Sequence, residues 1–364
     1  MFKPIYISEV NCVSPLGMDL ESNWAALTKG ESAIEGIDIG MLKEIDVARF
    51  ADRPALLDDS LSFLENIMLH AALPLVSDKV ITARTGFILS TTKGNIEKLA
   101  SGSVEEAELG RLAGVLAQRL GFVSKPIVVS HACVSGLLAV SVGKRLIQMG
   151  QYDEVLVLAG DQVSEFVLSG FQSFQAMSSG PCRPFDAARS GVTLGEATAA
   201  AWLTDRKSEG IVQIMGEGAV NDANHISGPS RTGEGLVRSM QSAFQEAGIS
   251  TGDIDFVSAH GTATLYNDEM EAIAFDRMGL SGTPTHSLKG YYGHTLGASG
   301  LLELAIAVKS LRENMLIPTK GFATLGTSKY LNIIQDLVPM DLNYCLKTAS
   351  GFGGSNTAMI LKKI

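Results

Sequence analysis

The stretch KPIVVSHACVSGLLAV, residues 125–140, runs from a β-branched segment, PIVVS, into an apolar helical one and sets a single cysteine, Cys133, at the join. A strand ending near Ser130 and a helix starting near Val134 place that cysteine at a helix N-terminus. Unpaired backbone N–H groups and the helix dipole favour an anion there. Because the thiolate is the nucleophile, the position predicts a cysteine activated for attack. The competing reading is a packing cysteine, since Leu137, Leu138, Val140 and Val142 make the helix apolar nearly all round and therefore buried. Residues elsewhere must decide between the two.

Outward from this junction, strand-like runs such as EVLVLAG (154–160) and DIDFVSAHGT (253–262) alternate with helix-like runs such as GLVRSMQSAFQEAGI (235–249). Such alternation predicts an α/β protein with largely buried sheets. In the helical run Leu236, Met240, Ala243 and Phe244 share a face, and Gly248 stands where a C-terminal cap belongs. The polar, glycine-ended break TDRKSEG (204–210) divides the chain into halves, 1–206 and 207–364. GNIEKLASGSVEEAELG (94–110) and TKGFATLGTSKYLN (319–332) read as surface loops.

A net charge of −10 argues against broad nucleic-acid binding, which needs clustered Lys and Arg. No apolar run approaches the roughly 18 residues of a membrane span. The opening MFKPIYISEV lacks the features of a signal peptide, so a cytoplasmic protein is expected. Cys12, Cys133, Cys182 and Cys345 are too scattered for a zinc site or a disulfide framework; reduced thiols and no metal are expected.

Two of the six histidines, His260 in SAHGTATLYNDEMEAI and His294 in SLKGYYGHTLGASGLLELA, sit in glycine-rich turns ahead of helices. Thr262 and Thr264 follow His260 with hydroxyls suited to a polar tunnel. Asp268 and Glu271 have the spacing of a helix-capping pair. After His294 the helix is apolar except for Glu303, an ionised carboxylate that needs a partner, with Lys289 the nearest sensible cation. Glycines 351, 353 and 354 around Phe352 allow close passage of the backbone. Their spacing fails the dinucleotide pattern, so the segment reads as a turn supporting a site.

Together, SPLG (14–17), HACVSG (131–136), CRPFDAARSG (182–191), HGTATLYNDEMEA (260–272), KGYYGHTLGASG (289–300) and GFGGSN (351–356) resemble the β-ketoacyl synthases, decarboxylating condensing enzymes with one Cys and two His. The resemblance implies a thiolase-like fold, two duplicated halves in an α-β-α-β-α core. It implies that Cys133 takes an acyl group from a pantetheine thioester, and that His260 and His294 bind the carbonyl of a malonyl extender. Backbone N–H groups of Cys133 and Phe352 would form the oxyanion hole, and Phe352 would guard the acyl pocket. Thr262 and Thr264 would hold pantetheine, with Lys289, Asp268, Glu271 and Glu303 as a supporting polar network. No resident cofactor is implied, because 4′-phosphopantetheine arrives on an acyl carrier protein, the expected partner. A homodimer, or a heterodimer with a related synthase subunit, is implied as well.

Segments around 50–78 and 321–338 look shortened against the family, and His131 has no role in its pattern. A non-catalytic, chain-length-determining partner subunit is the alternative, but such subunits usually lack the cysteine. A degradative thiolase would need a second catalytic cysteine, and Cys345 has the wrong context.

Overall fold

A computed structural model describes residues 3–40, 42–222 and 228–364; Met1 and Phe2 of the opening stretch lie outside it. Ten strands form its largest hydrogen-bonded sheet: β1 (Ile5–Val13), β2 (Thr85–Ser90), β3 (Ile127–Val129), β4 (Glu154–Asp161), β5 (Ala197–Thr204), β6 (Val212–Asn221), β7 (Phe256–Ser258), β8 (Thr285–His286), β9 (Tyr344–Gly351) and β10 (Ser355–Lys363). Their spatial order is β3-β2-β4-β5-β1-β6-β10-β9-β7-β8.

One topology occurs twice. From β1 outward, β5 and β4 add antiparallel, then β2 and β3 parallel. From β6 outward, β10 and β9 add antiparallel, then β7 and β8 parallel. Within the sheet the halves join where Ile5, Tyr6 and Ile7 pair with Ile214, Gln213 and Val212.

Helices α1 (Phe63–Val76), α2 (Leu109–Arg119), α3 (Ser135–Gln148), α4 (Glu165–Ser173), α5 (Glu234–Ala247), α6 (Leu265–Arg277) and α7 (Ser299–Glu313) complete the layers. Alternation along the strands assigns each face. Val155 and Val157 of β4 and Met359 and Leu361 of β10 point into one central core with Leu137 and Val140 of α3 and Leu301 and Leu304 of α7. The opposite faces, Leu156, Leu158 and Trp202 in one half and Leu346 and Ile360 in the other, pack under α1 with α2 and under α5 with α6. The result is the expected α-β-α-β-α fold.

The two central helices touch at reciprocal glycines. A Cβ on Gly136 would lie 2.7 Å from the Leu301 nitrogen, and one on Gly300 would lie 2.7 Å from the Leu137 nitrogen. Any side chain at either position would wedge the helices apart. The contact brings together both helix starts, and with them the turns that carry Cys133 and His294.

Three local expectations are corrected. Residues 94–110 hold a 3₁₀ turn (Ile96–Ser101), a short helix (Val104–Ala107) and the first residues of α2, where a loop was expected. Strand β7 is only three residues long, because the chain turns at His260 into the site. Asp268 and Glu271 do not cap α6. Its N-cap is Thr264, whose hydroxyl accepts from the Asn267 N–H, and both carboxylates point inward, fully buried. Segment 319–332 is irregular as expected, and Gly248 ends α5 with φ +67°. Among the described residues no helix is long and apolar enough to cross a membrane.

Candidate active site

Cys133 sits between β3 and α3, after Ala132 at φ +47°. Val134 is the N-cap of α3 and gives it no side-chain cap, so the cysteine lies just ahead of free helical N–H groups. From the other half, His260 leaves β7 and His294 enters through the turn before α7. The Cys133 Sγ and one nitrogen from each imidazole lie within 4.8 Å of one another. The two rings meet edge to face at 5.1 Å. Among the described residues this is also the one grouping with metal-ligand spacing. The Lys289 ammonium, 3.3 Å from His260 Nδ1, opposes a second cation there.

Both imidazoles are held in one tautomer. His294 Nδ1 accepts from the Leu296 N–H at 3.2 Å and lies 2.9 Å from the Ser299 hydroxyl. His260 Nδ1 faces the Lys289 ammonium, which can only donate. Each ring therefore carries its proton on Nε2. Burial first, and the Lys289 charge second, hold both histidines well below the usual 6.5, so they are neutral donors.

The thiol corrects the expectation of a lowered pKa. Burial pushes Cys133 up to about 11, outweighing Lys289, the Phe352 N–H and Lys93, which all favour the thiolate. The cysteine precedes a helix start, but burial costs the anion more.

Lys289 donates to Glu303 Oε1 and to the His260 carbonyl, both at 2.6 Å. Glu303 also takes Lys347, whose ammonium reaches Oε2 at 2.5 Å and the carbonyls of Thr348 at 2.8 Å and Ser258 at 3.2 Å. Burial works against the Glu303 anion, yet the two ammonium ions hold its carboxyl below the usual range. Glu271 accepts from the backbone N–H groups of His260 at 2.8 Å and Gly261 at 2.6 Å, and so fixes the turn. Asp268 accepts from Phe185 N at 2.7 Å and Thr262 N at 2.9 Å. Burial pushes Asp268 to about 6 and Glu271 to about 7.

A cavity of about 350 Å³ opens over Cys133, His260 and His294 and is lined also by Thr262, Thr264 and Phe352. The Thr262 and Thr264 hydroxyls are 3.0 Å apart. The Phe352 N–H points to the Cys133 sulfur. Gly351 permits this, because a Cβ there would lie 3.0 Å from the Cys133 nitrogen. The Phe352 ring stacks on Phe171 at 5.7 Å, with Phe174 edge-on.

Several participants escape sequence reasoning. Lys347 carries a signal, a lysine in the β-patterned run YCLKTAS. Asp161, which gathers the N–H groups of Thr92, Lys93 and Gly297, has a weaker one. Phe171 and Phe174 have none, because only the fold sets them against Phe352.

A buried thiol, two fixed N–H donors and a backbone N–H aimed at the sulfur suit the chemistry of an acyl-transferring condensing enzyme. Residues 84–209 match the β-ketoacyl synthase N-terminal domain, and residues 211–323 match the β-ketoacyl synthase C-terminal domain. The chain is 27% identical to 3-oxoacyl-[acyl-carrier-protein] synthase 2 of Rhizobium meliloti (strain 1021), over 99% of this chain and 98% of the relative. It is 26% identical to the Vibrio cholerae synthase of the same name, over 99% of both. A ketosynthase from Xenorhabdus doucetiae, solved in complex with its chain length factor, superposes with a TM-score of 0.92 at 26% identity, covering 100% of this chain and 98% of the other. A β-ketoacyl synthase from Burkholderia phymatum STM815 gives 0.91 at 25% identity over the whole of both. The chain belongs to the β-ketoacyl synthase family.

Proposed function

We propose that this protein catalyses the decarboxylative Claisen condensation of a malonyl-acyl carrier protein with an acyl group held on Cys133, in fatty-acid or specialised polyene and polyketide synthesis. The observation that carries this reading is the Cys133–His260–His294 cluster, closed to 4.8 Å and opening into one cavity. In the first half-reaction the Cys133 sulfur attacks the thioester carbonyl. The bond to the pantetheine sulfur breaks, and the proton lost by Cys133 ends on the departing thiol. Backbone N–H groups of Cys133 and Phe352 receive the oxyanion. Such donors contribute roughly 3–4 kcal/mol each.

In the second half-reaction the malonyl carboxylate leaves as carbon dioxide, and its bonding pair becomes an enolate. The thioester oxygen of that enolate accepts from the Nε2–H groups of His260 and His294. Neutral imidazoles suit this role, since they donate without protonating the carbanion. Its carbon then attacks the acyl-Cys133 carbonyl, and the Cys133 sulfur departs as a thiolate that takes a proton from solvent. Thr262 and Thr264 hold the pantetheine arm, which comes with the carrier, so no resident cofactor or metal is invoked.

The two halves, 1–206 and 207–364, each supply part of the chemistry: the nucleophile from one and both histidines from the other. A dimer with a related subunit is supported by the Xenorhabdus ketosynthase and its chain length factor, and a dimer of two copies is the alternative. Intact mass after mixing with carrier proteins of different acyl length tests the whole reading. Acyl adducts on Cys133 support it. An unchanged mass with every donor favours the non-catalytic, chain-length-determining subunit instead.

A further inference from the structure

The ion group under the histidines carries one cation more than an ordinary pair. Lys289, Glu303 and Lys347 are all buried, and one carboxylate serves two ammonium ions through different oxygens. Lys347 spends its other contacts on the carbonyls of Ser258, Ala259 and Thr348, the first two at the end of the strand that delivers His260. By holding Glu303 Oε2, it leaves Oε1 to fix Lys289 against His260. We propose, on the condensation reading above, that Lys347 is a positioning residue for decarboxylation, seating the Glu303–Lys289 pair and keeping His260 a neutral donor through the surplus positive charge it adds beneath the ring.

The charged and titratable groups facing His260 come from every neighbouring element. They are Cys133 ahead of α3, Asp268 and Glu271 of α6, Lys289 and His294 of the turns before α7, Glu303 of α7, and Lys347 of β9. Lys347 is among the charges that hold His260 low. Removing one cation leaves Glu303 and Lys289 as a neutral pair, so His260 takes a proton more readily. Imidazolium would protonate the carbanion and quench it. Loss of Lys347 should therefore show chiefly at low pH, and in one half-reaction.

The experiment measures carbon dioxide release from malonyl carrier protein between pH 5.5 and 8.5, in a Cys133→Gln background, with and without Lys347→Met. Acyl-enzyme mass is followed in the Cys133 enzyme. The acid limb of the release profile should move up by about one pH unit, a loss of up to about threefold at pH 6 that closes above pH 8. Acyl capture should change less than decarboxylation. Side-chain ¹⁵N spectra should show His260 titrating within this range in the variant and silent in the parent. Lys347→Arg should keep the acid limb in place. Lys347→Gln serves as a second neutral variant should Lys347→Met melt early. Coincident parent and neutral-variant profiles, or equal loss of both half-reactions at all pH values, would overturn the proposal. A parent that releases no carbon dioxide would instead defeat the condensation reading itself.

Discussion

His131 Nε2 lies 2.5 Å from the Ser355 hydroxyl, and that contact ties the nucleophile turn to the turn that presents Phe352. The Ser355 hydroxyl donates to Asn221 Oδ1 at 3.1 Å, so the His131 ring donates to it. At its other end, the His131 backbone N–H donates to Ser135 Oγ at 2.7 Å, in the first turn of α3. His131 thus spans the two backbone segments whose N–H groups, on the proposed condensation, would face the thioester carbonyl of acyl-Cys133.

His131→Ala should slow acylation of Cys133 about fivefold and leave decarboxylation by the Cys133→Gln protein nearly unchanged. A double-mutant cycle with Ser355→Ala should give about 1 kcal/mol of coupling, the size of one hydrogen bond. Additive single effects would mean that the contact carries no catalytic coupling.

Iodoacetamide should modify Cys133 before Cys12, Cys182 or Cys345, which are buried with thiols raised to about 12 or beyond. With Cys133 itself near 11, its alkylation rate should climb about tenfold per pH unit up to pH 9 without a plateau. Peptide mapping by mass checks the order. A plateau near pH 7 would restore the activated-thiolate expectation. Cys133→Ser should keep the fold and lose acyl transfer.

The two half-reactions should separate by mutation. Cys133→Gln should release carbon dioxide from malonyl carrier protein and form no ketoacyl product. His294→Ala should accept an acyl group yet lose decarboxylation about 10²-fold, the cost of one preorganised donor to the enolate. Labelled carbon dioxide and acyl-enzyme mass report the two steps. Decarboxylation at the parent rate in His294→Ala would make that histidine structural.

Buried carboxyls predict a pH dependence of stability. The Glu271 pKa rises from 4.5 when unfolded to about 7 when folded, so the folded state binds its proton more tightly. Its contribution is greatest below pH 4.5 and is lost as pH rises through 7. Asp268 acts in the same direction between 3.8 and about 6. The buried histidines act oppositely, destabilising the fold as pH falls below 6.5. Glu271→Gln removes one carboxyl only. The fall in melting temperature from pH 5 to pH 8 should therefore be smaller in the variant than in the parent. Equal falls would show that Glu271 is already ionised.

The sequence by itself determined the elements whose periodicity is local. Alternation in 154–160 marks β4, the apolar stripe of 235–249 marks α5, and the strand-to-helix junction sets Cys133 at a helix start. It also exposed Glu303 as a buried charge in want of a partner, because a lone carboxylate on an apolar helix is costly. Tertiary structure alone decided how these pieces meet. Gly136 and Gly300 let two helices, far apart in sequence, cross closely enough to place Cys133 beside His294. Burial, which depends on everything packed around a group, reversed the expected shift of the Cys133 thiol, and packing turned Asp268 and Glu271 inward, away from the capping role that their spacing allows. Lys347, His131 and the Phe171–Phe352 stack draw their roles from partners more than 40 residues away, and no local pattern records a contact of that kind.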